Sequence, residues 1–183
     1  MLLETLLVFL FARLKGYRLK GLFKCIPALP VMIVQIIAVV SEFSLFFDVT
    51  ALMPLAAYLE SAAIISFLPA ILIYGLYVPA IVSSASIVFG TVLNRIVIAQ
   101  NGGKMPVFPS LSYITGYVTP ELFGTADTLH ILGNEQTRLV FLTDFIDFGY
   151  CILSVGDLLI HLFYCIMLYQ LIKCVCASKA NNT

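Results

Sequence analysis

The chain has 183 residues, of which 61% are hydrophobic and 11% charged, where an ordinary soluble domain carries about 25% charged residues. Ten basic and ten acidic residues leave no net charge, which argues against nucleic acid as a partner, because no broad positive field is available. A water-soluble fold of this size could not cover so much apolar surface, and a mean hydropathy of +1.05 points to an integral membrane protein built as a single domain over residues 1–183.

A spanning helix needs about 20 mainly apolar residues. The first apolar run, residues 2–14, is shorter than that. Glu4 stands where a signal peptide carries positive charge, and no small-x-small cleavage site follows, so the run reads as a retained helix. It spans only by thinning the bilayer or snorkelling its flanks, with a half-buried or re-entrant helix as the other reading. Residues 26–47 are long enough, and Asp48, Val49 and Thr50 break the run. The third run covers residues 54–77. Gly75 and Pro79 then place a tight turn at residues 77–79. Residues 80–99 and 155–172 supply the last two runs. Between them, residues 100–154 hold no clean spanning segment: Pro106, Pro109 and Pro120 interrupt the pattern, and Tyr113, Tyr117 and Phe123 suit a membrane interface. Residues 134–145 read as a short helix capped by Asn134. The expected fold is all-α, a polytopic bundle of about five spans with one long extracytoplasmic interfacial loop.

Arg13, Lys15, Arg18, Lys20 and Lys24 fall in the first loop, and Lys173 and Lys179 at the C-terminus. Positive charge marks the cytoplasmic side, so the C-terminus is expected inside, with the N-terminus and residues 100–154 outside. The acids agree. Glu4, Asp48, Glu121, Asp127, Glu135, Asp144 and Asp147 fall on the outer side under this arrangement, and Glu42, Glu60 and Asp157 in the outer halves of helices.

Ionisable groups within spans need a reason, because each costs about 2.5–3.5 kcal/mol on insertion scales. Glu42, Glu60 and Arg95 lie at similar depth, which suggests an ion pair or triad. It is read either as glue fixing helix register or as part of a substrate or ion pathway. Ser83, Ser84, Ala85, Ser86 and Gly90 permit close helix approach.

Three boxes flank the outer loop. Gln-Asn-Gly-Gly-Lys-Met-Pro-Val, residues 100–107, offers either a turn after a helix end or an anion-binding nest beside Lys104. Residues 137–148 set Asp144 and Asp147 among bulky apolar side chains, where a carboxyl is expected to have a raised pKa. Ser154-Val155-Gly156-Asp157 has the spacing of a capping box, which competes with a catalytic or binding carboxylate as the role of Asp157. With no span between them, Asn101, Lys104, Asp144, Asp147 and Asp157 share one face and are expected to converge, with Arg95, Glu42 and Glu60 just below.

The cysteines, Cys25, Cys151, Cys165, Cys174 and Cys176, are odd in number and mostly apolar in setting, which is no disulfide framework. His130 reads as solvated, and His161 lies one turn after Asp157, close enough along a helix to pair with it. No metal site and no cofactor are expected.

The boxes resemble those of an uncharacterised family of small bacterial polytopic membrane proteins, with N-G-G-[KR]-M-P-V, T-x-L-x-x-L-x-D-x-I and S-[VI]-G-D motifs. Asn101 to Val107, Thr137 to Ile146 and Ser154 to Asp157 carry the likeness. It implies a multi-pass protein of the bacterial plasma membrane and no assigned activity. The stretch Asp144-Phe145-Ile146-Asp147-Phe148 with a helix-opening Asp157 is also similar to the C-terminal half of bacterial lipoprotein signal peptidase, which would make Asp144 and Asp157 a catalytic pair. Against that, Ser154-Val155-Gly156 replaces the family's Asn-x-Ala, and the two aspartates lie closer in sequence than the family's. Three functions follow as expectations. The first is a binding, transport-accessory or assembly protein with a polar, acidic outer site. The others are a membrane aspartyl hydrolase using Asp144 and Asp157, and a small transporter subunit using Glu60 and Arg95. The partners expected are the lipid bilayer and another membrane protein or a second copy.

Overall fold

Proline marks where four helices of the computed structural model begin. Pro30, Pro54, Pro69 and Pro79 each sit in the first turn of a helix, where a missing N–H costs nothing. The structure describes residues 2–47, 49–119, 123 and 129–180. Asp48, Pro120, Glu121 and Asp127 lie outside the described residues. The helices are α1 (Leu2–Leu14), α2 (Leu29–Ser44), α3 (Met53–Ile65), α4 (Leu68–Tyr74), α5 (Tyr77–Gln100), α6 (Leu111–Thr115) and α7 (Val155–Ala180). Among the described residues, Ile26–Ser44, Tyr77–Gln100 and Val155–Ala177 are long and apolar enough to cross a membrane; Tyr58–Tyr74 is apolar but shorter.

Three expectations change. The third run is not one helix: Pro69 has no amide to give the carbonyl of Ile65, and α3 stops there before α4 resumes. The turn before α5 comes earlier than residues 77–79. Gly75 takes the left-handed conformation, φ 64°, that ends α4, and Pro79 belongs to the first turn of α5. Residues 134–145 form no α-helix. Asn134 caps a local turn by accepting the Gln136 amide, and only Val140–Leu142 winds, as a single 3-10 turn.

Short strands take the remaining backbone. β1 (Met105–Val107) pairs in parallel with β2 (His130–Leu132), and β3 (Ile146–Asp147) pairs antiparallel with β4 (Ile152–Leu153). No sequence signal marked them. They satisfy amides in a segment too broken by proline and glycine for a long helix. The longest described helix between Asn101 and Ser154 is α6, with five residues.

The chain forms two units. One comprises the residues up to Val39, Ala57–Ser86 and the chain from His161 onward. Its core is one face of α7, on which Phe163, Tyr164, Met167, Leu168, Leu171, Ile172 and Val175 are all buried, the spacing of a wide helical stripe. Phe67, at the α3–α4 break, packs edge-on against Phe163 and Tyr164, with centroids 6.1 and 5.6 Å away. α1 lies against α7 in the same direction: Glu4 meets His161 at 2.7 Å, Thr5 meets the Tyr164 hydroxyl at 3.0 Å, and Phe11 meets Tyr169 at 5.3 Å. His161 thus pairs with α1, not with Asp157. The other unit comprises Val40–Ala56 and Ile87–Ile160 and holds all three outer boxes.

Candidate functional site

The second unit is assembled on one stripe of α5. Gly90, Asn94, Val97 and Asn101 recur at helical spacing, so they share a face. Gly90 and Val97 on it are buried. Each box docks on this stripe or on another box.

Ser154-Val155-Gly156-Asp157 docks first. The capping box forms in both directions: Ser154 Oγ accepts the Asp157 amide at 2.9 Å, and Asp157 Oδ2 accepts the Ser154 amide at 2.8 Å. Asn94 closes a ring across to α5. Its Nδ2 donates to Asp157 Oδ1 at 2.7 Å, and its Oδ1 accepts from Ser154 Oγ at 2.9 Å. Gly156 lets the two backbones come this close. A methyl group there would collide with the Asn94 amide and lie 2.7 Å from the Gly90 carbonyl oxygen. The capping role raised by the sequence is therefore the one in place at Asp157, which also accepts a hydrogen bond from a second helix.

Asn101 ends the stripe. It donates to the carbonyls of Val97, at 2.9 Å, and Arg138, at 3.0 Å, and accepts the Arg138 amide at 2.9 Å. The side chain thus acts as a piece of backbone, holding residue 138 against the end of α5. Gly102 and Gly103 have positive φ, 70° and 85°. The amide of Gly103 turns back to the Ile98 carbonyl at 2.9 Å and that of Lys104 to Asn101 at 3.5 Å. These two amides cap the helix instead of lining an anion nest, and Lys104 is exposed.

Asp144 is stitched to the first box through its backbone, accepting from the Phe108 amide at 2.8 Å and donating to the Pro106 carbonyl at 3.1 Å. Its side chain is buried, with His130 Nε2 at 3.6 Å from Oδ2. His130 is accordingly half-buried beside a carboxyl, not fully solvated.

Asp147 accepts from the amides of Ser110, Ser112 and Gly149, at 2.7, 2.8 and 2.7 Å, and from the Ser112 hydroxyl at 2.6 Å. Burial pushes its pKa up, but these donors together outweigh it and hold the pKa below 3.8. The expectation of a raised value fails here because the loop turns its amides onto the carboxylate. Phe43 stacks on Tyr150 at 6.0 Å, and Phe46 packs on Tyr117 at 5.4 Å, so aromatic rings join the end of α2 to the loop.

Arg95 is exposed on α5, and among the described residues it makes no ion pair. Glu42 and Glu60 are half-buried, Glu42 in this unit and Glu60 in the other. The contacts missed from sequence were Asn94 on Asp157, Ser112 on Asp147 and Glu4 on His161. Only the first left a trace, the glycines at positions 90 and 156 that mark a close approach.

A family model matches residues 21–169, most of the chain and all three boxes. The chain belongs to DUF5317, a family of unknown function. That fits the resemblance to an uncharacterised family, and the helices of this DUF5317 member fit an integral membrane protein. No curated protein and no solved structure matches the chain.

Proposed function

We propose that this is a plasma-membrane protein of about five spans, with a cytoplasmic C-terminus, whose residues 100–154 form a stiff polar platform on the outer face used for binding or for assembly with another membrane component. One observation carries the reading. The carboxylates of Asp147 and Asp157 each accept from the chain itself on both oxygens, so they work as fasteners of the loop. A hydrolytic carboxylate keeps an oxygen for water or substrate. The platform instead leaves Lys104, Glu135 and Arg138 exposed along its edge, a rim suited to polar contacts with a partner. Asn101 belongs to its frame.

The alternatives are a membrane aspartyl hydrolase using Asp144 and Asp157, and a transporter subunit using Glu60 and Arg95. Stability separates the first from the platform. Asp144→Asn and Asp157→Asn are each purified in detergent and their melting compared with the parent. A platform predicts that Asp157→Asn melts lower, since an amide nitrogen then faces a donor. A catalytic pair predicts unchanged or raised melting with loss of function, because removing one of two like charges relieves repulsion. For the transporter, Glu60→Gln would abolish proton-coupled uptake into vesicles while leaving the outer loop intact.

A further inference from the structure

We infer that the groove between α1 and α7 holds one acyl chain of an anionic phospholipid, whose phosphate is taken by Lys15 and Arg18. This site belongs to the first unit and does not rest on the outer platform. The groove has a volume of about 400 Å³, within the range of ligand sites, about 300–1,000 Å³. Leu7, Val8 and Phe11 form one wall and Cys165, Ile166 and Tyr169 the other. The lining is almost wholly apolar, with the Gln170 amide at its edge.

Charge identifies the occupant. No acidic residue lies between Glu4 and Glu42, and none follows Asp157. α1 and α7 run in the same direction, so their far ends bring only cations together: Arg13 in the last turn of α1, Lys15 and Arg18 just after it, and Lys173 in α7. One of these cations reaches the groove itself. Lys15 Nζ lies 5.6 Å from the ring centroid of Phe11, which is itself a wall residue. Tyr17 packs edge-on to the wall residue Tyr169 at 6.0 Å, and the Arg18 carbonyl accepts from Cys176 Sγ at 3.4 Å. The turn after α1 is thereby folded back onto α7, which keeps exposed Arg18 on the same end of the helix pair as Lys15. From Lys15 to Leu7 is about 12 Å along a helix, enough for the first part of an acyl chain to lie against Phe11, Val8 and Leu7. An apolar helix from another protein would have to bury these cations. A lipid leaves them in the headgroup layer, where they snorkel.

The test uses the full-length protein in detergent, with phosphatidylglycerol and phosphatidylcholine of matched acyl chains as probes and native mass spectrometry as readout. One phosphatidylglycerol is expected to stay bound through detergent exchange, in clear preference to phosphatidylcholine. Lys15→Ala with Arg18→Ala should weaken retention roughly 25-fold, about 5-fold for each cation facing an anionic layer. Leu7→Trp, which fills the groove and leaves the charges, should weaken retention of both lipids. Lys15→Gln alone, a single exposed change, is run beside them with melting curves, so that misfolding cannot imitate the loss. Equal retention of the two lipids overturns the proposal. So does retention unaffected by the Lys15 and Arg18 changes, or a second copy of the chain bound where lipid is expected.

Discussion

Asn94 and Asp157, 63 positions apart, share a 2.7 Å hydrogen bond that ties the C-terminal part of α5 to the first turn of α7. Ser154 completes the ring by donating to Asn94 and accepting from the Asp157 amide. Removing either partner strands the other. Asn94→Ala and Asp157→Ala are each expected to cost about 1.5–3 kcal/mol in detergent unfolding, the range for a charged hydrogen bond. The double variant should cost less than the sum, with a coupling of about 1 kcal/mol or more. Additive losses would mean that the two side chains act separately.

Gly156 and Gly90 predict a steric counterpart. Gly156→Ala pushes a methyl into Asn94 and the Gly90 carbonyl, and overpacking of this kind costs about 1–3 kcal/mol. Asn94→Ala should relieve only part of the loss, because the Gly90 carbonyl belongs to the backbone. Gly16→Ala is the control. That glycine has φ 85° with no atom within 4 Å of the new methyl, so only backbone strain of about 1 kcal/mol is expected there.

Asp147 sets a pH dependence. Its folded pKa lies below 3.8, so it contributes stability that is fully present above pH 3.8 and is lost as pH falls through the folded value. The parent should therefore melt above Asp147→Asn by a constant margin at neutral pH, about 2 kcal/mol for the charged hydrogen bonds. That margin should shrink below pH 3.8. A margin that shrinks near neutral pH would indicate a raised pKa and a carboxyl not held by these amides.

Asn101 gives a local prediction. Asn101→Ala frees both backbone groups of Arg138. Amide exchange at position 138 should accelerate at least 10-fold, from a loss of about 1.4 kcal/mol or more, while α5 stays protected. Unchanged exchange would show that the loop is held by other contacts.

How much of this was legible beforehand varies with sequence distance. The capping role of Asp157 follows from Ser154 three residues earlier, and the lack of a long helix after Asn101 from Pro106, Pro109 and the glycine pair. Both are local signals. Asn94 on Asp157 and Glu4 on His161 join residues 63 and 157 positions apart, and nothing in a single sequence encodes such pairings. Local rules also misled. Pairing of His161 with Asp157 one turn away was plausible, yet Asp157 is occupied by Asn94 and Ser154. Residues 134–145 have enough apolar character for a helix, but Asp144 spends its backbone groups on Pro106 and Phe108.

The central proposal is that everything between α5 and α7 stays on one side of the membrane, opposite the basic loop. Single cysteines at Lys104, Glu135, Arg138 and Lys24, all exposed positions, in a chain whose five native cysteines are replaced, can be labelled in intact cells with a membrane-impermeant maleimide. The account predicts labelling at positions 104, 135 and 138 from outside, and at position 24 only after the cells are opened. Labelling of positions 104 and 138 from opposite sides would contradict it.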